Sequence, residues 1–200
     1  MITPLKEIIE KEIQAIRRIP LSDDYNRAVD LIVSQVHQKN GKLVCSGMGK
    51  AGQIASNIAT TFSSTGTPAC FLHPSDAQHG DLGILRDNDL MLLISNSGKT
   101  REIIELVGLA RQLIPDVRFI VITSNEASEL AKSADICLPT GNPPEVCALG
   151  LTPTTSTTVM AVIGDLLVVE TMKRIGFTTA DYAKRHHGGY LGAVSRMRIE

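Results

Sequence analysis

Three hydroxyls crowd one short turn of this chain. Ser95-Asn96-Ser97-Gly98-Lys99-Thr100 follows the apolar run Leu90-Met91-Leu92-Leu93-Ile94 and precedes a helical pattern. The first amides of a helix have no internal acceptor, and the helix dipole adds partial positive charge there. Ser95, Ser97 and Thr100 add hydroxyl donors, and Gly98 lets the backbone approach closely. Together these residues make an anion cradle suited to a phosphate monoester. Ordinary helix capping needs just one hydroxyl, so the segment exceeds that need. The nucleotide-binding pattern GxxxxGK[ST] is absent. Gly47-Met48-Gly49-Lys50-Ala51-Gly52 gives GxGxxG, but a dinucleotide fingerprint also wants an acid at the end of the second strand. That strand ends Phe71-Leu72-His73-Pro74-Ser75-Asp76, and Asp76 arrives late. The glycine turn reads better as a second wall of the serine-loop site, with Lys50 beside Ser95–Thr100.

The elements that must position these residues follow from apolar periodicity. Leu5, Ile8, Ile9, Ile13 and Ile16 recur at helix spacing, and Pro20 stops that helix. Ser22 reads as the N-cap of a second helix running to about His37. After Asn40-Gly41 short apolar runs alternate with helical stretches. Strands are expected at Leu43–Ser46, Ala69–Leu72, Leu90–Ser95, Phe119–Thr123 and Ile136–Leu138, with helices near 52–63, 100–114 and 127–133. That alternation predicts parallel βαβ units with right-handed crossovers. The fold class is therefore α/β: a doubly wound, five-stranded parallel sheet in 2-1-3-4-5 order, flanked by helices and preceded by an N-terminal helical arm over 1–40. In that order strands one and three adjoin at the switch point, where ligands bind. A last long helix, Thr155 to Ile175, is apolar almost all round and is expected to be central. Asp165 within it then needs a partner if buried.

Composition bounds the function. The 200 residues carry a net charge of −1, with 43% hydrophobic and 20% charged residues, as a single globular domain over 1–200 would. Near-zero charge gives no global attraction to nucleic acid or anionic membranes. Scarce aromatics and the absence of tryptophan disfavour a base-stacking surface. No signal peptide or membrane-spanning run stands out. Cys45, Cys70, Cys137 and Cys147 form no CxxC pair, and a reducing cytoplasm is the expected location.

Seven segments, in order, resemble the SIS (sugar isomerase) domain, and within it the arabinose-5-phosphate isomerase family. They are GMGKAGQIA (47–55), STGTPACFLHPSDAQHGDLG (64–83), ISNSGKTREI (94–103), EVCALGLTPTTSTT (145–158), GD (164–165), GF (176–177) and HHGGYLG (186–192). The family often has an acid where Lys99 stands and a proline where His187 stands. Many members continue into paired CBS regulatory domains, whereas this sequence resembles the catalytic domain alone. The resemblance implies interconversion of arabinose 5-phosphate and ribulose 5-phosphate through an enediol, supplying Kdo for lipopolysaccharide or capsule. Such chemistry needs a base within reach of C1 and C2 and stabilisation of the enediolate, but no metal or other cofactor.

By the same resemblance Lys50, Glu102, Glu145 and His186 match the proposed catalytic set. Glu145 is the first choice of base, because partial desolvation in its loop would raise its pKa toward neutrality. Glu102 is the runner-up base or an orienter of Lys50. His186 is assigned to ring opening or to proton transfer between O1 and O2. Lys50 would neutralise enediolate or phosphate charge. Ser46, Gly47, Ser95, Asn96, Ser97, Thr100, His79, Thr154 and Thr155 are expected around the sugar phosphate. His37 and His73 read as structural. The small-molecule partner is a sugar phosphate. A homotetramer or dimer with shared sites is expected, His186 coming from a neighbour. Feedback inhibition by a downstream Kdo compound at the active site is a further expectation. The alternatives are an isomerase for a hexulose or heptulose phosphate, or a non-catalytic sugar-phosphate sensor.

Overall fold

In a computed structural model of the chain, residues 2–198 are described. α1 (Ile2–Arg17) and α2 (Asp24–Ile32) form the N-terminal arm, and α2 runs on through a π-helical turn, Val33–Gln38. The N-cap of α2 is Asp23 rather than Ser22; Ser22 Oγ instead accepts the Asp24 amide at 3.3 Å. The remaining order is β1 (Leu43–Gly47), α3 (Gly49–Ser64), β2 (Ala69–Phe71), α4 (Pro74–Ala77), a 3₁₀ turn (Asp81–Ile84), β3 (Leu90–Ile94), α5 (Arg101–Leu113), β4 (Arg118–Thr123), α6 (Glu129–Ser133), β5 (Ile136–Pro139), α7 (Thr155–Arg174), α8 (Thr179–Ala183) and α9 (Gly189–Met197).

All five strands are parallel and lie in the order β2-β1-β3-β4-β5, as the apolar alternation predicts. Every residue of β1 and β3 is buried, because helices cover both faces of the sheet. Successive side chains point to opposite faces. Leu43, Cys45, Leu90 and Leu92 therefore join the core under α2, α3 and α7. Val44, Met91 and Leu93 join a second core with Ile103, Leu106 and Phe119, under α5.

α7 differs in part from its expected central place. It packs on α1, α2 and α3, but Asp165, Leu166, Val169 and Glu170 face outward. Asp165 is thus exposed, and no buried partner is required of it. By length and hydropathy α7 could cross a membrane, yet half of its most apolar window is buried within the fold. Small residues set how closely it approaches: a Cβ on Gly164 would collide with Ile58 of α3.

The register aligns Gly47 with Ile94. The turns that follow β1 and β3 therefore emerge side by side at the carboxyl edge of the sheet, at the switch point. The first turn is tight. A Cβ on Gly52 would lie 2.5 Å from the Gly47 carbonyl oxygen, and one on Gly47 would lie 2.8 Å from the Ala51 carbonyl. These glycines let α3 start directly against the end of β1. Gly52→Ala is expected to destabilise the fold by about 1–3 kcal/mol, seen as a lower urea midpoint at unchanged m-value.

Candidate functional site

The serine loop is pinned from within. Ser95 is buried; its Oγ lies 2.7 Å from Thr100 Oγ1 and accepts the Gly98 amide at 3.1 Å. Gly98 has a φ of +63°, and a Cβ there would strike Ser128. The Asn96 carbonyl accepts from the Ser124 amide at 3.0 Å and from Ser124 Oγ at 2.7 Å. Asn125 Nδ2 donates to the Ser97 carbonyl at 3.2 Å. Ser95 and Thr100 thus shape the loop. Ser97 and Asn96 are exposed, and the Ser97 hydroxyl accepts the Lys99 amide at 3.1 Å while its own proton stays free to donate. The loop leads into the first turn of α5, whose opening amides lack helical acceptors.

Ser124, Asn125 and Ser128 were missed by sequence reasoning. Their signal was present: a short polar cluster after β4, at the same edge of the sheet as the serine loop. Ser46 takes a structural place instead of lining the crevice. Its hydroxyl is fully enclosed and donates to the Leu72 carbonyl at 2.7 Å, which ties β1 to the end of β2. Gly47 is buried in the tight turn. Lys50 is exposed in the first turn of α3, across the switch point from the serine loop.

Glu145 stands at a second helix start. Its Oε2 accepts from the Thr154 amide at 2.7 Å, from Thr154 Oγ1 at 2.9 Å and from the Ser156 amide at 3.3 Å. The carboxylate caps α7, so the two threonines expected to face the sugar are engaged elsewhere. Thr154 serves Glu145, and Thr155 donates to Glu12 Oε1 at 2.9 Å. Glu145 also corrects the expected direction of its ionisation. Burial pushes its pKa up, but the hydrogen bonds from Ser156 and Thr154 together outweigh it and hold the carboxyl below its ordinary value. In the same loop the Thr152 amide, with lesser help from the amides of Leu151 and Leu149, draws the Cys147 thiol down to about 7.

Glu102 is half-buried in the first turn of α5, and His79 is exposed in the loop between α4 and the 3₁₀ turn. His186 is not brought to them within one chain. α7 starts at Thr155, against the Glu145 carboxylate, and rises about 1.5 Å per residue, so its twenty residues carry the chain about 30 Å away. Past it, Phe177 and Arg185 lie against Gly66, beyond the far end of α3. His186 is nevertheless oriented. Its Nδ1 lies 3.0 Å from the Tyr182 carbonyl oxygen, which can only accept, and its ring stacks on Tyr182 at 3.7 Å. Nε2 is left to take or give a proton. Among the described residues, no three His, Cys, Asp or Glu side chains gather as a metal site would require.

A parallel sheet with a hydroxyl-lined loop and two helix starts at its switch point is a frame suited to a small anionic ligand. The SIS domain matches residues 35–170, more than half of the sequence, and the chain belongs to that family. Its fold is similar, with a TM-score of 0.94 and 67% identity, to a Bacteroides fragilis protein assigned as a phosphosugar isomerase involved in capsule formation; 95% of this chain and 99% of that one are covered. An Escherichia coli CFT073 protein in complex with arabinose 5-phosphate matches with a TM-score of 0.85 and 35% identity, over 92% of this chain and 96% of that one. The arabinose 5-phosphate isomerase KdsD of Yersinia pestis is 42% identical over 196 residues, 97% of this chain and 58% of that protein. The chain thus spans under three fifths of the length of the curated relatives it matches.

The lowered pKa of Glu145 makes a signed prediction about stability. A carboxyl with a depressed pKa in the fold contributes stability above its unfolded pKa and loses it as pH falls through the folded value. Glu145→Gln keeps an acceptor but removes the charge. The wild type is expected to exceed this variant in thermal stability near pH 7. The gap should close as pH falls below about 4, in paired melting curves across pH 3–7.

Proposed function

We propose that this chain is an aldose–ketose isomerase interconverting D-arabinose 5-phosphate and D-ribulose 5-phosphate. One observation carries the reading: the Escherichia coli relative that holds arabinose 5-phosphate is 35% identical over nearly the whole of both chains. Relatives named arabinose 5-phosphate isomerase KdsD, at 42% and 43% identity, support the same activity. The product supplies Kdo in the cytoplasm. The capsule branch is favoured because the Bacteroides fragilis relative, at 67% identity, is the one described as involved in capsule formation.

In this proposal the substrate phosphate rests on Ser97, Thr100 and the opening amides of α5, with Lys50 opposite. Glu145 takes the proton from C2 and returns it to C1. Between these steps a proton passes from O2 to O1, and His186 carries it after opening the ring. Lys50 offsets the enediolate charge, and Glu102 orients Lys50. A base with a lowered pKa stays ionised throughout the neutral range, so the carboxylate is ready before substrate arrives. His186 of the partner subunit completes the site, because the copy within the chain lies at the far end of α7. The proposed assembly is a homotetramer or dimer. Apolar side chains left outward on α1 (Leu5, Ile9) and α9 (Leu191, Met197) are suited to such contacts. A downstream Kdo compound competing for the same crevice is the regulatory part of the proposal.

The first test is incubation with arabinose 5-phosphate in D2O, followed by NMR. Ribulose 5-phosphate with deuterium incorporation is the expected result. Glu145→Gln should lower kcat about 10²–10⁴-fold, and Glu102→Gln less. Substrate binding without product or exchange refutes the isomerase. Initial rates unchanged by pathway intermediates remove the feedback element.

A second test addresses the shared site. Glu145→Gln and His186→Asn chains, each inactive alone, are co-expressed. If each site draws on two subunits, mixed assemblies regain up to about a quarter of wild-type sites. No recovery would place both residues in one chain's site.

A further inference from the structure

Two carboxylates from distant parts of the chain converge on the first turn of α7. Glu145 holds Thr154 and Ser156, and Glu12, from α1, holds the residue between them. Thr155 Oγ1 donates to Glu12 Oε1 at 2.9 Å across 143 positions of sequence. Thr155 is 1% exposed. Glu12 Oε2 is buried with no partner among the described residues. A buried carboxylate oxygen without a donor is costly, and such an atom calls for an explanation.

We propose that Glu12 is a positioning residue for Glu145, acting through Thr155. The inference rests on the reading of Glu145 as the base. The first turn of α7 offers two amides and two hydroxyls at successive residues. Thr155 lies between the two residues whose amides bond Glu145, and its enclosed hydroxyl ties this turn to α1 through Glu12. The tie fixes the backbone of the turn, so that the amides of Thr154 and Ser156 stay aimed at Glu145 Oε2. Without it the turn relaxes and those hydrogen bonds weaken. Those donors hold one carboxylate oxygen in place and leave Oε1 for the substrate. The N-terminal arm is thereby part of the machinery as well as a cover for the sheet.

Other charged groups face Glu145. Glu7, Glu10 and Lys11 of α1, and Arg18 just after it, line the same cavity of about 670 Å³. From its own loop comes the Cys147 thiol, while the first turn of α7 carries no titratable side chain. Replacing Glu12 leaves all of these in place.

The test compares Glu12→Ala, Glu12→Gln and Thr155→Val in the full chain, by kcat, KM and the pH dependence of kcat. Glu12→Ala should lose about 10–100-fold in kcat with little change in KM. It should also move the acidic limb of the profile to higher pH, because Glu145 loses hydrogen bonds that favour its ionised form. Glu12→Gln keeps an acceptor for Thr155 and should restore the profile. Thr155→Val should reproduce the loss, and combining it with Glu12→Ala should add nothing further. A Glu12→Ala enzyme that melts lower but keeps the wild-type kcat and profile overturns the proposal. So does full additivity of the two substitutions. If the wild type itself turns over no phosphosugar, it is the isomerase reading that fails, and the carboxyl titration of Glu145 by ¹³C NMR then decides the coupling alone. A rise in the Glu145 pKa on Glu12→Ala supports the positioning role, and an unchanged value overturns it.

Discussion

A parallel sheet has one edge at which every strand ends, and the rest of this molecule depends on that constraint. Right-handed crossovers deliver the start of each following helix to the same edge, so α3, α5 and α7 bring their unsatisfied amides and positive dipole ends together. The 2-1-3-4-5 order then opens a crevice between β1 and β3, because the chain leaves β1 for one side and returns to the other. The anion binding proposed there needs no special residue beyond those that let the turns form. The glycines at 47, 52 and 98 serve this end by allowing backbone and side chains to meet where a Cβ would intrude.

Hydroxyls at this edge divide between shaping and contact. Those of Ser46, Ser95 and Thr155 are enclosed and spend their hydrogen bonds inside the fold. A buried hydroxyl without a partner costs about 1–3 kcal/mol, so each inward one is matched to a carbonyl, a hydroxyl or a carboxylate. Ser97 alone of the loop serines remains outward. The start of α7 goes further, being held by a carboxylate of the chain itself. Glu145 is thereby kept ionised and oriented, as its proposed role of base requires.

The long helix α7 does two jobs that pull its ends apart. Its first turn carries the Glu145 contacts, and its far end carries α8 and α9. The separation leaves His186, already oriented by Tyr182, with no route to Glu145 in the same chain. An exposed ridge at Leu166 and Val169 lies between the two ends. Apolar surface on α1, α7 and α9 and a distant histidine are the two observations on which the proposed contact between copies rests.

Sequence alone determined a good deal here. Apolar runs of three to six residues separated by helix-period stretches placed all five strands to within about two residues, because burial on both faces leaves a strong signal. The glycine turn and the serine loop were also legible, since strand-to-helix handovers in a parallel sheet must fall together. Short α4, α8 and α9 were not anticipated, having few periods to display. Tertiary structure decided the rest: which hydroxyls turn inward, that Glu145 is capped and its pKa lowered, that Asp165 is exposed, and that His186 sits far away. The physical reason is the same in each case. Periodicity records which residues lose water, whereas a hydrogen bond between Glu12 and Thr155, or a distance of a whole helix between Glu145 and His186, exists only after distant segments have packed.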